Sequence, residues 1–347
     1  MAPVVLTLAR RSGFRVRVLS TGQHREMLAD ALSIFGIVPD INLALMRPGQ
    51  SLADLTGRML TALAPVLRDE APDIVLAQGD TTTVLSTALA AFYAGLPFGH
   101  VEAGLRTGSM TSPFPEEMNR VLTSHLARWH FAPTPEAAGR LTAEGHDPAS
   151  VHMTGNTVID ALHLVAGRNP PLPVAIGAGR RLILVTLHRR ENFGAPLRSI
   201  CDALEALVRD NPAVELLIPV HHNPNVRSVI EGRFGGRDRV SLTGPLAYPD
   251  FVAAMGRAHL ILSDSGGVQE EAPALGKPVL VLRDTTERPE AVEAGVSALV
   301  GTETEAIRRS AQHLLDDPAA YAAMAQGRSP YGDGHAAERI VGILAAA

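Results

Sequence analysis

Short apolar runs alternate along this chain with longer stretches of helical period. "DIVLAQ" at 73–78, "PFGHVE" at 97–102 and "ARWHFAPT" at 127–134 read as strands, with helices through "STALAAFYAG" and from Glu116 between them. The Pro- and Gly-rich stretch "AGRNPPLPVAIGAGR" at 166–180 has no sustained period and reads as a linker. Beyond it the alternation restarts with strands at 181–187, 214–220, 259–264 and 277–282 and helices at about 196–209 and 268–275. Residues 304–347 are Ala rich and helical in pattern.

Runs that are apolar throughout, each followed by a polar turn, are the pattern of parallel strands covered on both faces. The expected fold is α/β, with two Rossmann-like, doubly wound parallel sheets facing one another across a cleft. Residues 1–168 form the first domain, 169–330 the second, and 331–347 a helix that packs back on the first. Ligands of such sheets bind outside the carboxyl ends of the strands, so function belongs in the turns. The opening is unusual for this class. "MAPVVLTLAR" reads as a helix, with Pro3 in its first turn and Gly13 as a stop, and only then does "FRVRVL" at 14–19 alternate as a strand.

Composition narrows the classes. At 347 residues there is room for two cores, and with 46% apolar, 19% charged and only 4% aromatic residues those cores must be built from Ala, Val, Leu and Ile. A net charge of −5 without a basic block leaves no footprint for nucleic acid. No apolar run reaches the roughly 18 residues of a membrane span, and no signal segment follows Met1, so a cytoplasmic protein without a membrane partner is expected. The single cysteine, Cys201, falls in a helix interior, where a small buried thiol is the plain reading.

Six turns could carry chemistry. In "ILSDSGGVQEE" a strand runs into Ser265, Gly266 and Gly267, whose N–H groups open a helix toward an anion; Glu271, one turn further, could accept from two ribose hydroxyls. A tight turn with carboxylates complementing a helix N-terminus explains the same residues. "RDTTERPEAV" sets Arg283 and Arg288 about two threonines, as a phosphate site or as a salt-bridged loop with Glu287 and Glu290. "QGDTTT" puts Asp80 past a strand, where capping accounts for one Asp or Thr but not for the whole group. Glu102 in "HVEAGLRT" and Glu116 in "PFPEEMNR" would converge with Asp80 at one sheet edge, although Glu116 and Glu117 also stand at ion-pair spacing from Arg120. Crowded carboxylates push one another's pKa values apart and so supply both an acid and a base. "HRRENFG" brings His188 off a strand as a proton donor or phosphate ligand. His221 and His222 lack the further ligands a metal needs, so no metal is expected.

Together "QGDTTT", "HVEAGLRT", "PFPEEMNR", "TGNTVID", "HRRENFG" and "SDSGGVQEEAPALGKPVLVLRDTTERPEAV" resemble the bacterial non-hydrolysing UDP-N-acetylglucosamine 2-epimerases, in the family's order and spacing from Met1 to about Gly301. The resemblance implies a glycosyltransferase-B-like fold with the active site in the cleft, a homodimer, and interconversion of UDP-GlcNAc and UDP-ManNAc without any cofactor. That reaction, which supplies ManNAc-type sugars for cell-surface polysaccharide, expels UDP, forms 2-acetamidoglucal and adds UDP back. By the family's pattern Asp80, Glu102 and Glu116 are the catalytic carboxylates, and His188 and Arg120 further active-site groups. Ser265, Gly266, Gly267, Glu271 and Arg288 match the UDP site, with Phe251 near the uracil. Gln23, Arg189 and His221 match a second, activating UDP-GlcNAc site, whereas Glu26 and Gly49 depart from its pattern.

The family opens with a strand and a turn close to Gly-Thr-Arg-Pro-Glu-Ala-Ile-Lys ahead of Met-Ala-Pro, so this chain is expected to lack both. An upstream start codon is the first explanation, a trimmed chain or a true truncation the others. A glycosyltransferase of the same fold, a hydrolysing epimerase and a silent UDP-sugar binding protein are the rival functions.

Overall fold

A computed structural model describes residues 1–22, 31–47 and 49–347. The chain divides into two compact units, Met1–Ala161 with Tyr331–Ala347, and Leu162–Pro330. The change of unit falls within the helix Thr157–Ala166, a few residues ahead of the Pro- and Gly-rich stretch.

In the first unit, β3 (Val75–Gln78), β4 (Phe98–Val101), β5 (Trp129–Ala132) and β6 (Val151–Met153) form a parallel sheet in sequence order. β1 (Leu19–Ser20) and β2 (Ile41–Asn42) form a separate parallel pair. The expected strand at 14–19 is therefore a correction: only its last residue joins a ladder. Val18 N–H goes to the carboxylate of Asp40 at 2.7 Å while its carbonyl accepts from the N–H groups of Asp40 and Ile41, and Arg17 binds Asp40 and Glu70, so side-chain carboxylates supply part of what a ladder would. The opening helix is present as Ala2–Arg10. Its Val4 and Leu8 share a core with Ile340, Val341 and Leu344 of the helix Ala336–Ala346. A helix at Leu52–Glu70 covers the unit with Leu55, Met59, Leu63 and Leu67, spaced for one buried face, and Ser51 caps its Asp54 N–H.

The second unit holds six parallel strands in the order β12-β11-β10-β7-β8-β9. They are β7 (Arg181–Thr186), β8 (Val214–Pro219), β9 (Val240–Thr243), β10 (Leu260–Ser263), β11 (Val279–Val281) and β12 (Ser297–Leu299). Strand order reverses between β7 and β10, which makes the turns after these two strands the switch point where ligands of such sheets bind. The core is aliphatic, as the scarcity of aromatics requires, with Cys201 buried among Ile200, Leu204 and their neighbours; burial pushes its thiol up to about 12. Among the described residues no helix is long and apolar enough to cross a membrane.

Candidate active site

In the first unit three turns are tied together at the carboxyl ends of β3 and β4. Gly79, at φ +86°, lets the chain leave β3, and its carbonyl accepts from Nε2 of the buried His100 at 2.7 Å. Burial pushes His100 down to about 4, so it is neutral and serves as a fixed donor. Asp80 follows. Its carboxylate accepts from Arg120 Nη2, and its carbonyl accepts from Asn119 Nδ2 at 2.9 Å. Thr81 is the N-cap of the helix Thr82–Tyr93, but no side chain caps that helix, so capping is not what Asp80 does here.

Glu102 leaves β4 with φ +65°, a left-handed conformation that costs a non-glycine residue about 1–3 kcal/mol and is retained where function demands it. Gln78 Nε2 donates to Glu102 Oε2 at 3.1 Å, joining the β3 and β4 turns. Glu116 and Glu117 begin the helix Glu116–Leu126. They have different fates. Glu117 is buried, accepts from the N–H groups of Thr107 and Gly108 at 2.9 and 3.0 Å, and lies 3.2 Å from Arg120. Glu116 is half-buried in the first turn of the helix. Arg120 thus bridges Asp80 and Glu117.

In the second unit the turns after β7 and β10 meet. Asp264 is wholly buried and accepts from the N–H groups of His188 and Arg189 at 3.0 Å and from Asn192 Nδ2 at 3.0 Å. Its other oxygen lies 2.9 Å from His188 Nδ1. Burial opposes ionisation of Asp264, yet these bonds hold its carboxyl below the usual range. The helix Gly266–Ala274 follows, with Ser265 at its N-cap and no capping side chain, which leaves its first-turn N–H groups uncapped. Gly266 and Gly267 do not need positive φ. A Cβ on Gly266 would come 3.6 Å from Arg189 Nη2, and one on Gly267 would be 4.0 Å from Ser265 Oγ, both ordinary contacts, so no neighbouring protein atom forces glycine at the turn. Arg189 and His221 both lie on this side of the unit, His221 with its ring centroid 6.1 Å from that of His188. Gln23 and Glu26 lie outside the described residues.

Glu271 is buried one turn into the helix and accepts from Tyr248 Oη at 2.5 Å. Burial pushes its carboxyl up to about 7, with the Tyr248 bond opposing and Glu270 adding to the rise. Phe251 is half-buried in the same helix as Tyr248, Tyr248–Arg257. Arg288 binds Glu270. Arg283, buried between Glu191 and Glu287, is the salt-bridged member of its loop. Asp264, Tyr248, Asn119 and His100 were not among the expected site residues. Asp264 had one signal in the sequence, a polar residue ending an otherwise apolar strand.

Among the described residues no group of three or more His, Cys, Asp or Glu could hold a metal ion. The family described as UDP-N-acetylglucosamine 2-epimerase matches residues 6–345. UDP-N-acetylglucosamine 2-epimerase of Yersinia pestis is 49% identical over 99% of this chain and 94% of its own length. That of Bacillus subtilis is 49% identical over 98% and 90%. The crystal structure of UDP-GlcNAc 2-epimerase from Neisseria meningitidis bound to UDP-GlcNAc is 46% identical, with a TM-score of 0.86 over 100% of this chain and 96% of that one. Identity at this level over both units, with the fold and the turns described above, places the chain in the UDP-N-acetylglucosamine 2-epimerase family.

Proposed function

We propose that this protein interconverts UDP-GlcNAc and UDP-ManNAc by inverting C2 of the sugar. The C2 proton is not acidic in the substrate, because no carbonyl adjoins it. Breaking the C1–O bond sends its electron pair out with UDP and leaves a cationic C1, which acidifies C2–H. A carboxylate of the first unit takes that proton, and 2-acetamidoglucal remains. UDP then adds back to C1, while C2 is protonated on the opposite face. Two proton-handling groups are needed, and Asp80, Glu102 and Glu116 supply carboxylates at neighbouring turns, with Arg120 Nη2 donating to the Asp80 carboxylate. UDP would rest on the uncapped turn at Ser265, Gly266 and Gly267, its ribose on Glu271, with Arg288 and Phe251 flanking, and His188 would meet the diphosphate as it departs.

The observation that carries this reading is the left-handed Glu102 tied by Gln78 to the Asp80 turn, a strained acid-rich arrangement that capping does not explain. The test is turnover of UDP-GlcNAc in deuterium oxide. Deuterium should enter C2 of both sugars as they approach equilibrium, with UDP retained overall. Epimerisation with no label at C2 would sink the scheme, and accumulation of free N-acetylmannosamine would favour a hydrolysing enzyme. We also assign a homodimer and a cytoplasmic location; light scattering and cell fractionation test these.

A further inference from the structure

We propose that Asp264 is the positioning residue of His188: it fixes the imidazole with Nδ1–H directed into the protein and leaves Nε2 as the one ring nitrogen available to a ligand in the turn. The inference rests on the reading of His188 given above, but its geometry stands independently. Asp264 ends β10 and His188 follows β7, adjacent strands paired as Ser263 with Thr186. Thr186 and Ser263 also share a hydroxyl contact at 2.6 Å, and Asp264 N–H donates to Thr186 carbonyl at 3.2 Å, so the two turns are locked before either carboxylate or ring is considered.

Every donor around Asp264 comes from the His188 turn: two backbone N–H groups, the Asn192 amide and the Nδ1 edge of the ring. A buried carboxylate can only accept, so the ring nitrogen facing it at 2.9 Å must carry a proton. The neutral ring is then confined to one tautomer, and its proton-accepting or proton-donating work falls to Nε2. Asn192 Nδ2 also binds the carbonyl of Leu282 at 3.1 Å, which anchors the turn to the end of β11. Such an arrangement acts through orientation and charge, not by touching substrate.

The first experiment uses wild-type protein with nitrogen-15-labelled histidine. His188 should appear in NMR as the Nδ1–H tautomer; an Nε2–H tautomer would overturn the assignment without any variant needing to fold. The second compares Asp264→Asn, His188→Gln and the double variant, each checked for a native thermal transition. Asp264→Asn should lower kcat by on the order of 10- to 100-fold with KM for UDP-GlcNAc within about threefold, and should slow His188→Gln no further. An equal loss in both backgrounds would show that Asp264 serves the turn's stability alone and would overturn the proposal. Wild-type protein that fails to exchange the C2 proton would defeat the functional reading, while the tautomer measurement would still decide the position of Asp264.

Discussion

The candidate site carboxylates of the two units, Asp80 and Glu116 in the first and Asp264 and Glu271 in the second, are held in different ways. In the first, Asp80 and Glu116 are half-buried, and Arg120 supplies a full positive charge to Asp80. In the second, Asp264 and Glu271 are buried and their partners are mostly neutral donors, namely backbone N–H groups, an amide and a phenol. A half-buried, charge-paired carboxylate keeps its proton exchange with a ligand open; a buried one is committed to holding something in place. On the proposed reading, the same strand-into-turn plan serves proton transfer in one unit and binding in the other.

The largest break in that comparison is expected from Glu102→Gln. Removing a proton-transfer group should lower kcat by about 10²–10⁴-fold, with UDP affinity measured by calorimetry unchanged, because Glu102 belongs to the first unit's turns. Weakened UDP affinity with normal turnover would move Glu102 to the binding class. Next comes the neighbouring pair on one helix. Glu116→Gln should lose turnover and unfold like wild type, whereas Glu117→Gln should destabilise the first unit by about 3 kcal/mol in urea, since it breaks a buried ion pair and two backbone bonds. Equal stability of the two variants would erase the distinction drawn between these adjacent residues.

Sequence reading reached the strands that are covered on both faces, because runs such as "RLILVTL" and "VELLIPV" have no other economical explanation. It passed over the helix Leu52–Glu70, which carries the breaker Pro65 inside it, and overextended β1, whose basic positions include Arg17 bound to Asp40 and Glu70 while only Leu19 and Ser20 join a ladder. At the site, legibility followed local sequence. Glu102, His188 and the Ser265 turn each leave a strand directly, whereas the Asp264 to His188 contact spans 76 positions and the Tyr248 to Glu271 contact spans 23. No periodicity reports such partners; the sheet order, which brings β7 beside β10, supplies the first.

The second unit's neutral-donor strategy has a pH signature. Glu271 titrates at about 7, above its ordinary value of 4.5, because burial disfavours its charge. Ribose hydroxyls donating to the ionised form would lower that value in the complex, so binding of UDP releases a proton when Glu271 starts protonated. Affinity should rise with pH up to about 7, by at most about tenfold per pH unit, and level off above it. The terminal phosphate of UDP titrates near pH ~6 and adds its own slope. Glu271→Gln separates the two: it should retain only the phosphate's part, and an unchanged slope would remove Glu271 from the nucleotide site. For the folded protein alone the sign is the reverse. A carboxyl raised in the native state destabilises it progressively between 4.5 and about 7, and Glu271→Gln should relieve that decline in urea unfolding.

The smallest expected effect tests whether a neutral donor tunes as well as holds. Tyr248 Oη donates to Glu271 at 2.5 Å, and this bond is the one contribution that lowers the carboxyl against burial and Glu270. Burial and the neighbouring carboxylate push the phenol's own pKa upward, so Tyr248 remains the donor throughout the range in which Glu271 titrates. Tyr248→Phe keeps the ring and removes the hydroxyl. Glu271 should then ionise at higher pH, and the plateau of UDP affinity should move up by about half to one pH unit, since one neutral hydrogen bond is worth about 1 kcal/mol. Above that plateau the affinity should stay within about fivefold of wild type, because ribose hydroxyls replace the donor that was lost. A plateau that does not move would mean that Tyr248 only fills space beside Glu271, and the contrast between the units would then rest on burial and not on the kind of partner each carboxylate is given.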